Sequence, residues 1–221
     1  MLREVLDRTF RAKQWMQEPD FPPDKKPVLE ELIAGSLDKV CGMQLRWAFE
    51  RVLDELANMG VVFTVSSIDF RNLSGLNSYF EKNSPEQGAH EQANTVLREI
   101  ALDAIQKYAR ENGGEAYRIG GDEFAVIFPG FRVAECYSIM EKMRESADRI
   151  VKKYELEKEP HVKHNNLPIG AGGIDYGCAD SVEFSDTDKM LRIADYRLMT
   201  SKLEFIEKIK QQEINNTIKG G

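Results

Sequence analysis

Cysteine is scarce in this chain: Cys41, Cys136 and Cys178 are the only three in 221 residues. The number is odd, the spacings are wide and no C-x-x-C pair occurs. That pattern argues against a disulfide framework or a zinc ribbon and for a reducing interior. Histidine is equally sparse. His161 and His164 have zinc-like spacing but no third ligand beside them, so they read as solvated loop residues. His90 is expected to cap or pack near Asn94. No apolar run approaches the roughly 18 residues needed to cross a bilayer. The opening residues, Met1 to Arg8, are charged throughout and lack the apolar stretch of a signal peptide. These absences predict a soluble, cytoplasmic protein with no membrane partner. Positive charge is also short: 30 basic residues against 37 acidic ones leave a net charge of −7. A nucleic-acid partner held by global charge is therefore not expected, although a local basic pocket is compatible with it.

What is present is one domain with an appendage, or two small ones, at about 100–200 residues per domain. Leu2, Val5, Leu6, Phe10 and Trp15 fall at helical spacing and predict an amphipathic N-terminal helix. Residues 18–27 hold four of the eight prolines and mark a linker. The boundaries are placed at 1–35 for the helical arm with its proline-rich linker, 36–211 for the main domain and 212–221 for a flexible tail. The arm is expected to fold back on the main domain, since a helix of that length is marginal alone.

Helices are predicted over 27–36 and 45–59, the latter with Trp47, Phe49, Val52, Leu53 and Leu56 as apolar positions and Gly60 as its stop. The run from Val61 to Ile68 is β-branched and bounded by glycine and aspartate, a buried strand with Asp69 at its C-terminal end. Residues 90–108 return to helical period and close at Asn112-Gly113-Gly114. Two β-prone runs, 115–119 and 122–128, flank Gly120-Gly121 and predict a hairpin whose glycines supply positive φ. A helix over 131–154 follows, with Val133, Tyr137 and Met140 on its apolar side. Then come a strand over 167–176 and a last helix over 188–211. Helix, strand, helix, hairpin, helix, strand, helix describes an α+β fold: a ferredoxin-like, palm-type, mostly antiparallel sheet flanked by helices.

The chemistry centres on Asp69 at a strand end and on Asp122-Glu123 at the hairpin tip, which a ferredoxin-like sheet brings to one edge. Singly, Asp69 reads as a helix N-cap and Asp122-Glu123 as solvated turn residues. Together, beside Gly120-Gly121, they read as a site for Mg²⁺ or Mn²⁺ and a substrate phosphate. Hard oxygen donors suit those cations, and glycine lets phosphates approach the backbone. Such a site suits phosphoryl transfer.

The segment Tyr117-Arg118-Ile119-Gly120-Gly121-Asp122-Glu123-Phe124 carries the signature of the GGDEF family of diguanylate cyclases, and matches extend over residues 36–202. The run from Asp38 to Arg46 resembles a loosened D-x-L-T-G-L-x-N-R motif, and the run from Asp69 to Asn77 resembles D-[IL]-D-x-F-K-x-I-N. His90 to Asn94 stands where G-H-x-x-G-D ends, and Ala194-Asp195 with Lys202 is similar to A-D-x-A-L-Y-x-A-K. The resemblance implies a GGDEF domain with an N-terminal helical extension that condenses two GTP into cyclic di-GMP across a homodimer, releasing pyrophosphate. It implies metal ligation by Asp69, Asp122 and the Phe70 carbonyl. Glu123 would assist at the metals or activate the attacking hydroxyl. Asn77 and Asn94 would read the guanine, Gly120 and Gly121 would admit the nucleotide, and Lys202 would meet the phosphates.

The departures from the pattern are specific. Ser74 stands in place of a phosphate-contacting lysine, and Ile206 where an arginine is expected, which predicts weaker phosphate binding. Asn94 replaces an aspartate and both donates and accepts, which relaxes or changes base preference. The stretch Glu111-Asn112-Gly113-Gly114 lacks the R-x-x-D of product inhibition, so no feedback is expected there. The alternatives to a diguanylate cyclase are a degenerate nucleotide-binding or protein-interaction module, and a cyclase of altered base preference.

Overall fold

The computed structural model describes residues 37–83, 88–154, 163–164, 167–168 and 173–219, together with Pro23. The expected N-terminal helix, the linker and the helix over 27–36 lie outside the described residues.

In chain order the elements are β1 (Gln44–Leu45), α1 (Arg46–Asn58), β2 (Phe63–Phe70), α2 (Leu73–Asn83) and α3 (Ala89–Glu99). A π-helical segment (Ile100–Gln106) joins α3 without a break to α4 (Lys107–Glu111). Then follow β3 (Glu115–Arg118), β4 (Glu123–Pro129), α5 (Val133–Lys153), β5 (Lys163–His164), β6 (Leu167–Pro168), β7 (Ile174–Asp180) and α6 (Thr187–Lys219).

The main sheet has the order β1-β3-β4-β2-β7. All its pairings are antiparallel except β1 with β3. Taken without β1, this is the ferredoxin-like order the sequence predicts, with helices on both faces. One face is covered by α1 and α6, whose Phe49, Val52, Leu56, Met190 and Ala194 pack on Phe63, Val65, Tyr117, Ile127 and Ala179. On the other, α2, α3 and α5 pack on Ile68, Phe70, Phe124 and Val126. The alternation along β2 produces this division, because successive side chains of a strand point to opposite faces.

The sequence reading needs correction at several places. No helix was expected over 73–83, yet α2 is there; it follows Asn72, which takes a left-handed φ of 58°, and two serines, a glycine and two asparagines dilute its apolar period. Of the strand expected over 167–176, Leu167–Pro168 pair with β5 as the short β6, 169–172 lie outside the described residues, and β7 runs from Ile174 on to Asp180. Its pairing partner, not its own composition, sets the span, since Thr64 faces Asp180 and Phe70 faces Ile174. The last helix continues to Lys219 where a tail from 212 was expected; no glycine or proline interrupts it before Gly220. Trp47 and Tyr137, expected on buried stripes, are 50% and 43% exposed, because Trp47 lies on the side of its helix opposite the buried arc and Tyr137 beside the arc of its own. His90 is exposed and sits 3.9 Å from Glu81.

Candidate active site

The carboxylates gather at the C-terminal end of β2. Asp69 pairs with Glu123 of β4 on one side and with Asp175 of β7 on the other. Residues opposite one another in antiparallel strands share a face, so Glu123, Asp69 and Asp175 form one acidic row on the α6 side of the sheet. Behind it lies a row of small residues, Ala125, Ser67 and Gly177.

Gly177 decides how closely α6 approaches. A Cβ there would collide with the backbone of Ala194, Arg197 and Leu198, so only glycine lets the helix rest directly on β7. One turn beyond Leu198 the same helix brings Ser201 and Lys202 over the acidic row. Lys202 Nζ lies 2.8 Å from Asp69 Oδ2, and Ser201 Oγ donates to Asp175 Oδ1 at 3.2 Å.

The hairpin tip is held from behind. Arg118 donates from Nε to the Gly120 carbonyl at 3.1 Å and from Nη2 to the Gly121 carbonyl at 2.6 Å. Its Nη1 donates to Asp38 Oδ1 at 2.6 Å, an oxygen that also accepts the Val40 and Cys41 amides. The amides of Ile119 and Gly120 both donate to the Glu123 carbonyl. The Phe70 amide donates to the Asp122 carbonyl at 2.9 Å, which fixes Asp122 beside the end of β2. Neither Gly120 nor Gly121 has positive φ, contrary to expectation. A Cβ at Gly120 would stand 2.6 Å from Glu123 Oε2, the end of a flexible side chain that can turn away. Glu123 itself is exposed, with Arg46 at 4.0 Å.

Burial drives the Asp69 carboxyl up to about 6; Lys202 opposes this, and the charges of Asp122 and Asp175 add to it. The donors gathered there are hard oxygens. Two carboxylates and the Phe70 carbonyl fit a magnesium-type ion that completes its shell with water and substrate. Among the described residues, no group of three or more His, Cys, Asp or Glu side chains is arranged to hold a metal ion.

Asn77 and Asn94 are half-buried on α2 and α3, helices of the opposite sheet face from α6, so the end of β2 lies between them and Lys202. Ser74 is exposed and Ile206 half-buried, and neither position supplies a cation.

Arg71 was missed by the sequence reading. It is 6% exposed and donates from Nε and Nη2 to the two oxygens of Asp175 at 2.8 and 3.0 Å. Nη2 also reaches the Ile174 carbonyl, the guanidinium lies 3.8 Å from the Phe205 ring centroid, and Nη1 is 3.9 Å from Asp148. The available signal was an arginine at the second aspartate of the D-[IL]-D segment. Arg118, also missed, stands within the signature segment itself.

No curated protein matches the chain significantly. Among solved structures, it is similar to the coiled coil and GGDEF domain of DgcB from Caulobacter crescentus in complex with c-di-GMP, at 20% identity over 91% of this chain and 93% of that one, TM-score 0.62. It is also similar to the diguanylate cyclase SiaD in complex with its activator SiaC from Pseudomonas aeruginosa, at 20% identity over 92% and 68%, TM-score 0.59. A third likeness is to the FimX GGDEF domain from Pseudomonas aeruginosa, at 14% identity over 76% and 94%, TM-score 0.53. Identities this low speak for the fold alone. Among the described residues, no helix is long and apolar enough to cross a membrane. The family described as diguanylate cyclase, GGDEF domain, matches residues 38–205, and the chain belongs to it.

Proposed function

We propose that the protein is a metal-dependent diguanylate cyclase that condenses two GTP into cyclic di-GMP and releases pyrophosphate, as a homodimer in which each domain holds one GTP. The observation that carries this reading is the juxtaposition of Asp69 with Asp122 and Glu123 beside the Gly120-Gly121 turn, with Lys202 reaching over from α6.

Asp69, Asp122 and the Phe70 carbonyl would hold Mg²⁺ or Mn²⁺. The bound ion would supply charge neutralisation at the α-phosphate and a lowered pKa for the attacking 3′-hydroxyl. The chain's own groups do the rest. Arg118 keeps the Gly120-Gly121 turn in one shape, so the phosphates meet a backbone with no Cβ in the way. Lys202, on Asp69 in this structure, would meet the phosphates. Glu123, exposed to solvent, would accept a proton from the incoming hydroxyl. Asn77 and Asn94 read the base.

Ser74 and Ile206 favour a second reading, a nucleotide-binding module without turnover, because both positions lack a cation for the triphosphate. Purified protein incubated with Mg²⁺ and labelled GTP, ATP or both, with products resolved by chromatography, separates them. Cyclic di-GMP is expected from GTP. GTP binding with no product under any condition would sink the cyclase, and a mixed dinucleotide would show that Asn94 has changed base preference.

A further inference from the structure

Glu123, Asp69 and Asp175 share one row at the end of the sheet, yet among the described residues no three such side chains are arranged to hold one metal ion. Asp175 explains the difference. It is 1% exposed, and both of its oxygens are occupied, Oδ2 by Arg71 Nε and Oδ1 by Arg71 Nη2 and Ser201 Oγ. The guanidinium is fixed in turn by the Ile174 carbonyl, the Phe205 ring and the nearby Asp148. Asp148 Oδ1 is buried with no hydrogen-bond partner, so Arg71 supplies the countercharge there at longer range. Directly opposed residues on one face have Cβ atoms about 5 Å apart, which places Asp175 within reach of a cation held by Asp69 if its side chain were released.

We propose that Arg71 is a specificity-determining residue. By masking Asp175, it limits the cation site to the carboxylates of Asp69 and Asp122 and so selects a small, water-retaining ion over a larger one. The proposal rests on the reading of Asp69 and Asp122 as cation ligands. Its physical basis is ligand count. Mg²⁺ binds through one or two carboxylates and keeps its waters, whereas Ca²⁺ takes six to eight oxygens and gains affinity with each added carboxylate. A bidentate arginine is suited to such masking, because its planar fork satisfies both oxygens of one carboxylate at once.

The test is a titration of the full chain with Mn²⁺ alone, followed through the electron paramagnetic resonance signal of the free ion, with Mg²⁺ and Ca²⁺ as competitors. Arg71→Met is expected to bind Ca²⁺ about tenfold more tightly, with a smaller gain for Mg²⁺. Asp175→Asn should bind as the unaltered protein does, and Arg71→Met with Asp175→Asn should return within about twofold of it. A purely structural role for Arg71 would not produce that rescue. Should Arg71→Met fail to fold by circular dichroism, Arg71→Lys decides the matter. It keeps the charge but loses the fork, and about a threefold gain for Ca²⁺, abolished by Asp175→Asn, is expected. Unchanged selectivity in the arginine variants, a gain that persists without Asp175, or weakened binding in Asp175→Asn alone would each overturn the proposal. If the unaltered protein binds no cation, or Asp69→Asn binds as well as it does, the ligand assignment itself is wrong, an outcome visible without the Arg71 variants.

Discussion

Lys202 Nζ lies 2.8 Å from Asp69 Oδ2, so the cation of α6 occupies the carboxylate proposed to hold a metal. A bound ion and Lys202 compete for the same oxygen. Lys202→Met is therefore expected to bind Mn²⁺ alone about threefold more tightly and Mn²⁺-GTP about tenfold more weakly, since the lysine is lost to the phosphates. Titrations with and without nucleotide check the opposite signs.

Asp69 sets a pH dependence. Its folded-state carboxyl is raised to about 6, against 3.8 ordinarily, chiefly by burial. A raised carboxylate favours the protonated folded state, so its contribution to stability is present at low pH and is lost as pH rises from about 4 through 6. Asp69→Asn should remove this slope. Without metal, the variant should be more stable at pH 7.5, by about 1–3 kcal/mol, in denaturant unfolding. Mg²⁺ affinity of the unaltered protein should fall about tenfold per pH unit below 6, because proton and metal compete.

Gly177 seats α6. Gly177→Ala puts a methyl against the backbone of Ala194, Arg197 and Leu198, and overpacking of this kind costs about 1–3 kcal/mol. A drop in Tm of about 4–10 °C is expected by calorimetry. GTP affinity should weaken beyond what Lys202→Met loses, because Ser201, Lys202 and Phe205 shift together.

Arg118 holds two turn carbonyls and Asp38 with one guanidinium. Arg118→Lys keeps a charge but makes at most part of this set. GTP affinity should fall about tenfold by titration, and Asp38→Asn should produce a smaller loss of the same kind, since it weakens the grip on Arg118 without touching the turn.

Much of the site was legible because it lies on short-range pattern. The β-branched run after Gly60 announced β2, two strand-forming runs around Gly120-Gly121 announced the hairpin, and the carboxylates stand where those elements end. The resemblance of the signature segment named the family on local residues alone. Other features had no local signal. Nothing in Ile100 to Gln106 separates a π-helical stretch from the α-helix on either side. The span of β7 follows its pairing with β2, and α2 carries Gly75 beneath the Asn72 side chain, a poor helical sequence held by Leu76 and Phe80 in the core.

The sequence by itself determined the fold class, the family and the strands and hairpin at which the candidate carboxylates stand, because alternation, turn glycines and the signature are properties of neighbouring residues. Tertiary structure alone decided which carboxylates are available and what stands over them. Cross-strand register sets Asp175 beside Asp69, Gly177 brings Lys202 onto it, and a buried Arg71 withdraws Asp175 again. Each relation joins residues on different elements, and the physical reason is the same for all: register and close packing are settled between elements, not within them.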